Sequence, residues 1–149
     1  MDDTAAIHNI LLERDAVGFV ARDWNLVKDD FDDDMFMGSS AENGPLRLIY
    51  PTLESYRDSW LRQARELEGC DPVTLKRQLL EAMSLRTVEI LHGRALVTKV
   101  IKGQLDGPAG PIKLDWVTYY FLRCDQRVNR WKITGFVGYL AHDWKVSTS

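Results

Sequence analysis

Through the first half of the chain apolar residues recur three and four positions apart; through the second half they alternate with polar ones or run together. The first spacing is that of an amphipathic helix and the second that of a strand. Asp2, Asp3 and Thr4 precede a stripe of Ile7, Ile10, Leu11, Val17, Gly18 and Ala21, which predicts a helix running to about Arg22. Asp23 then offers a fresh N-cap, and Trp24, Val27 and Phe31 fall on one side of a short second helix. Residues 35–37 read as a short strand and SSAENGPLR as a loop. After a brief apolar run at 46–50, Thr52 caps a helix whose stripe is Leu53, Tyr56, Arg57, Trp60, Leu61, Ala64 and Leu67, with Gly69 as its stop. Asp71 and Pro72 start another, carrying Leu75, Leu79, Leu80 and Met83.

From about Ser84 the pattern becomes that of strands. SLRTVEIL and RALVTKVIKGQL are separated by His92 and Gly93, a pair suited to the positive φ of a two-residue hairpin turn. A loop at 106–111 leads into a second hairpin, 112–123 and 130–140, rich in β-branched and aromatic residues. Trp116, Val117, Tyr119, Tyr120, Phe121 and Leu122 place apolar surface on both sides of that pleat, so this hairpin needs a cover on each face. Helices first and a four-strand meander after predict an α+β fold, with the helices gathered on one face of an antiparallel sheet.

Composition narrows the partners. A chain of 149 residues is one domain with one core. A net charge of −3 without a basic block disfavours nucleic acid as a partner. No apolar run is long enough to cross a membrane, and the acidic start is unlike a secretory signal, so a cytoplasmic location is expected. Cys70 and Cys124 lack metal or redox spacing, and His8, His92 and His142 form no ligand cluster; no metal and no cofactor is expected. Five aspartates in the six positions from Asp29 to Asp34 suggest calcium, but the loop glycine and terminal glutamate of an EF-hand are missing, and a solvated acidic turn is expected instead.

The N-terminal helix, Asp23-Trp24 opening a second, the acidic turn, the tryptophan-bearing third helix, GRALV at 93–97 and WKITGFVGYL at 131–140 together resemble the nuclear-transport-factor-2-like (NTF2-like) superfamily, in particular its SnoaL-like branch. The resemblance covers 5–140. It implies a curved antiparallel sheet wrapped around three to four N-terminal helices as a cone; length and the polar ends add the expectation of a single domain spanning 1–149 with residues 1–4 and 142–149 frayed. It also implies a deep apolar pocket and a homodimer formed through the outer sheet face. The same cone serves steroid isomerases, epoxide hydrolases, dehydratases, polyketide cyclases, non-catalytic dioxygenase β subunits and transport adaptors, so function has to come from the site.

On the strand 112–123 the even positions are the more apolar and are assigned inward. Trp24, Tyr56, Trp60, Trp116 and Tyr120 are then the candidate ligand-binding residues of an aromatic cavity, against the plainer reading that they fill the core. Asp115 is a candidate acid or base if it faces the pocket; the same parity turns it outward, where Lys99 or Lys132 would pair with it across the strands. His92, at a tight turn, is expected at the surface. No known catalytic set of the superfamily can be laid onto the chain. Two functions stay open: a domain binding a small apolar ligand, as a lyase or isomerase of a ring-containing compound, and a non-catalytic subunit or scaffold like the dioxygenase β subunits.

Overall fold

The computed structural model describes residues 2–41 and 44–138. The chain opens with α1 (Asp3–His8), a π-helical stretch (Asn9–Arg14) and α2 (Asp15–Ala21). The three form one continuous helix, since the junction residues His8, Asn9, Arg14 and Asp15 all have right-handed helical backbones. The start is anchored where fraying was expected: the Asp2 carboxylate accepts from the Ala5 N–H at 2.7 Å, and Asp3 accepts from the Trp131 indole at 2.9 Å. The π turns change the phase of the apolar stripe, because each holds more residues than an α turn. Ala16 is therefore buried, while Val17 and Ala21, both expected inside, are exposed. Arg22, with φ of 54°, ends the helix, and Asp23 caps the first of two 3₁₀ turns, Trp24–Leu26 and Lys28–Asp30.

The acidic run that follows is not the solvated turn its composition suggests. Asp30 and Asp32 are buried and paired, Asp30 with Arg14 and Arg130 and Asp32 with Arg123, whereas Asp29, Asp33 and Asp34 are exposed. Only a paired carboxylate tolerates that burial.

Two short strands, β1 (Met37–Ser40) and β2 (Arg47–Tyr50), precede α3 (Leu53–Glu66) and α4 (Pro72–Ala82). Thr52 and Ser55 form a capping box on α3, and Asp71 accepts from the Thr74 N–H at the start of α4. Four long strands complete the chain: β3 (Met83–Leu91), β4 (Arg94–Gly107), β5 (Gly110–Asp125) and β6 (Arg130–Gly138). His92 and Gly93, with φ of 52° and 71°, make the first hairpin turn as expected. The loop expected over 106–111 is shorter, since β4 runs to Gly107 and β5 begins at Gly110. Fraying expected at 142–149 lies outside the described residues.

The six strands are ordered β2-β1-β6-β5-β4-β3. The expected wholly antiparallel sheet is corrected in one place: β1 pairs with β6 in parallel, Met37 opposite Gly135 and Ser40 opposite Gly138. Four residues are too few for their periodicity to reveal such a strand. Gly38 allows the approach, because a Cβ there would lie 2.6 Å from the Phe136 ring.

Two apolar clusters fill the concave side. One joins Ile7, Leu11, Phe31, Trp60, Tyr120 and Phe136; the other joins Ala16, Leu75, Leu79, Ile101, Leu105 and Leu114. On β5 the even residues Ile112, Leu114, Thr118, Tyr120 and Leu122 are buried, and the odd residues Lys113, Asp115, Tyr119 and Phe121 are exposed.

Candidate functional site

Where the two clusters meet, the packing leaves a cavity of about 90 Å³. Its apolar wall is Ala16, Phe19, Leu79, Met83, Ile101, Leu114 and the ring of Trp116. The remaining lining residues are polar or carry a polar edge: Asp15, Tyr56, Trp60, Gln63, Lys99 and Tyr120. Four of the five expected ligand-binding residues, Tyr56, Trp60, Trp116 and Tyr120, thus line one cavity. Trp24 does not. It stacks on Phe31 at 5.1 Å between centroids and meets Trp60 edge-on at 5.2 Å, behind the lining. Asp115 points outward with Lys102 as its cross-strand neighbour; Lys99 is buried on the other face, so the expected Asp115–Lys99 pair is not available. His92 is exposed at its turn.

The charged pair inside the cavity is Asp15 with Lys99. The Lys99 side chain is 3% exposed, and its Nζ donates to the Leu11 carbonyl at 2.6 Å and to Asp15 Oδ2 at 3.2 Å. It lies 5.7 Å from the centre of the Tyr120 ring, close enough for a cation–π attraction. An ammonium has three donors, and among the described residues two have acceptors. The Trp60 indole N–H reaches Asp15 Oδ1 at 3.5 Å. Asp15 follows directly on the π-helical stretch: its own N–H bonds to the Leu12 carbonyl three residues back, and the Leu11 carbonyl receives the lysine. Gly18, one turn on, lets Val27 and Trp60 close over the helix, since a Cβ would sit 2.6 Å from Val27 Cγ1.

Burial, and next the Asp15 carboxylate among neighbouring charges, drives the Tyr120 hydroxyl well above its ordinary 10.0. Burial also raises Tyr56, reinforced by Tyr120, Asp15 and Tyr50. Both phenols therefore stay protonated at neutral pH and serve as hydrogen-bond donors. The cavity holds one carboxylate that can accept a proton, one ammonium and two phenols that can donate, and an apolar wall. That set suits proton transfer beside a carbonyl group.

A smaller void of about 10 Å³, room for about one water, shares Asp15, Tyr56, Lys99 and Tyr120 with the main cavity. Among the described residues the carboxylates of Asp32, Asp33 and Asp34 lie close enough to one another for a cation, but Asp32 Oδ1 accepts from the N–H groups of Asp34 and Met35, and Oδ2 from Arg123.

No protein-family model matches the chain, and no curated protein sequence matches it. Solved structures do. An NTF-2 like protein of unknown function from Shewanella oneidensis aligns over 92% of this chain and 98% of its own, at 16% identity and a TM-score of 0.56. A ketosteroid isomerase-like protein from Erwinia carotovora aligns over 92% and 95%, at 14% identity and a TM-score of 0.59. The CaMKII hub of S. rosetta aligns over 93% and 96%, at 14% identity and a TM-score of 0.61. The fold is the NTF2-like cone. In this fold the helices cover the concave side, the cavity lies between them and strands β3 to β5, and the convex side of β4 and β5 carries exposed Leu96, Tyr119 and Phe121. At such identities the likeness is one of fold, so the chemistry rests on the cavity's own side chains.

Asp15 and Lys99 were not among the residues expected to form the site. Lys99 had a readable signal: it occupies the inward parity of β4, in the series Ala95, Val97, Lys99, Ile101, where only a paired charge belongs. Asp15 had none, because its direction depends on the π turns.

Proposed function

We propose that this NTF2-like domain binds a small carbonyl compound and transfers a proton next to the carbonyl, as a lyase or isomerase. The observation that carries the reading is the Asp15–Lys99 pair facing an apolar cavity. In this reading Asp15 Oδ1 or Oδ2 removes the proton α to the carbonyl. The third N–H of Lys99 and the Tyr120 hydroxyl donate to the oxygen as it gains charge. Trp60 orients the base through its indole N–H, and Tyr56 and Trp116 bound the ligand. Trp24 acts one layer behind, as a support for Trp60. The volume favours a short-chain compound over a ring-containing one, since about 90 Å³ is less than the roughly 150 Å³ that takes up benzene. Among the described residues no helix is long and apolar enough to cross a membrane, and we assign the domain to the cytoplasm.

The test is α-deuteration of butan-2-one in D₂O followed by proton NMR. Catalysed exchange that falls about a hundredfold in Asp15→Asn supports the reading; exchange at the buffer rate in the wild-type protein defeats it.

A second reading, a homodimer working as a subunit or scaffold, is favoured by the convex face. Leu96 lies opposite Phe121, Phe121 opposite Gly135 and Gly135 opposite Met37, with Leu96, Phe121 and Met37 all exposed. A row of this kind marks an interaction surface. Light scattering of the wild type and Phe121→Lys decides it: a dimer that becomes a monomer supports the interface, and a wild-type monomer removes it.

A further inference from the structure

Lys99 raises a question that proton transfer alone does not answer. An ammonium that only oriented a carbonyl or balanced Asp15 is an expensive choice at 3% exposure, since a buried ion pair is often matched or bettered by apolar residues of similar volume. A buried primary amine has one property that no apolar residue, and no arginine, supplies: once deprotonated it is a nucleophile.

We infer that Lys99 is a covalent site, its amine condensing with a short-chain aldehyde or ketone in the cavity to form an imine, with Asp15 as the proton carrier. The inference rests on the carbonyl-binding reading above and replaces one part of it: Lys99 engages the carbonyl carbon covalently instead of donating to the oxygen, which leaves as water before Asp15 removes the α proton. Three features support it. Lys99 lines an apolar cavity, and its Nζ lies 3.2 Å from Asp15 Oδ2, within proton-transfer distance. The two partners differ in access, with side-chain exposures of 3% and 34%, so the carboxylate can exchange protons with the outside while the amine stays sheltered. Tyr56 and Tyr120 line the same cavity, and their hydroxyls, kept protonated by burial, are suited to donate to the oxygen of the adduct.

The step balances without an oxidant or reductant. Asp15 takes a proton from the ammonium, and the freed lone pair attacks the carbonyl carbon, breaking the C=O π bond. Asp15 returns that proton to the alkoxide, giving a carbinolamine. It then removes a proton from the substituted nitrogen and delivers it to the hydroxyl, which leaves as water while the nitrogen lone pair forms the C=N bond. One ammonium and one carbonyl become one iminium and one water, and Asp15 ends as the carboxylate it began. With the iminium as electron sink, Asp15 is left to remove the α proton.

The experiment uses the full chain, butanal as probe and cyanoborohydride to trap any imine as a butyl amine, read by intact mass and peptide mapping. The expected result is a single butyl group on Lys99, formed about a hundredfold faster than on the exposed Lys102 and Lys113 and slowed about a hundredfold in Asp15→Asn. Lys99→Arg, which keeps the charge, removes the adduct while circular dichroism reports the folded chain. Butyramide, which does not condense, reports binding separately through shifts in the NMR signals of Trp116 and Tyr120. Saturable butyramide binding with Lys99 labelled no faster than the surface lysines overturns the imine and leaves the binding reading intact. Absence of both labelling and binding overturns both. Labelling that does not depend on Asp15 overturns the proton-carrier role.

Discussion

Two carboxylates, the half-buried Asp15 and the buried Asp30, each answer to basic partners and have opposite meanings. Asp30 is saturated: its two oxygens receive Arg14 at 2.8 Å and Arg130, Arg14 also donates to the Leu26 carbonyl, and the group ties the helix to the 3₁₀ turns and β6. Asp15 is poised: among the described residues its partner is one lysine, its second oxygen has only a long indole contact, and the pair lines empty volume. Acid and base residues occur at both places, so residue type alone does not separate a brace from a site. The difference lies in what surrounds the charges, saturated hydrogen bonding in one case and an apolar cavity in the other.

The largest effect expected is on the brace. Asp30→Ala removes the buried acceptor shared by Arg14 and Arg130, which are exposed enough to regain water, so the loss is that of the hydrogen bonds and the packing, about 2 kcal/mol in urea unfolding, while butyramide binding by the folded fraction is unchanged. Loss of binding with stability intact would reverse the assignment of the two carboxylates. Next comes Gly18→Ala, at the point where the helix presses on Val27 and Trp60. Although alanine favours a helix, a Cβ 2.6 Å from Val27 Cγ1 is expected to lower stability by about 1 to 2 kcal/mol, measured by thermal unfolding. A stabilised variant would show that the wall beside Asp15 is looser than its packing.

Alkaline pH probes the cavity side of the comparison. Tyr56 and Tyr120 are raised above 10.0 by burial, so the unfolded chain gives up these protons first. Their contribution is complete below pH 10.0 and falls as pH rises beyond it, by about 1 kcal/mol per pH unit for each phenol. Denaturation at successive pH values, with phenolate absorbance as the second readout, checks this; phenolate appearing before unfolding would refute the burial. The smallest change in stability is expected from Lys99→Met. Asp15 is exposed enough to regain water, and methionine fills the stem's volume, so stability moves by less than about 1 kcal/mol while α-deuteration is lost. A large loss of stability with exchange retained would make this pair a second brace.

Much of the fold could be read from short stretches. Thr52 with Ser55, Asp71 with Pro72, and His92 with Gly93 act through atoms three residues away or less, which is why helix starts and the hairpin turn were legible. The alternation along β5 gave its inward face, and with it the outward direction of Asp115. Strand β1 was legible only as a misplaced fragment, because its hydrogen bonds go to a strand almost a hundred residues later and its residues Gly38, Ser39 and Ser40 have no strand signature. The acidic run was misread as solvated because its composition says nothing of Arg14, Arg123 and Arg130, which bury two of its five aspartates.

The sequence by itself determined the long helices and the four long strands, where the helices start, and that Trp24, Tyr56, Trp60, Trp116 and Tyr120 belong to one aromatic interior, although Trp24 stands behind the cavity. These are consequences of local hydrogen bonding and of side-chain period, and both are written in neighbouring residues. The tertiary structure alone decided that a π-helical stretch turns Asp15 inward and that Lys99, 84 residues on, meets it at the edge of a cavity. Such a pairing depends on where two distant backbones come to rest, and no local pattern encodes that distance.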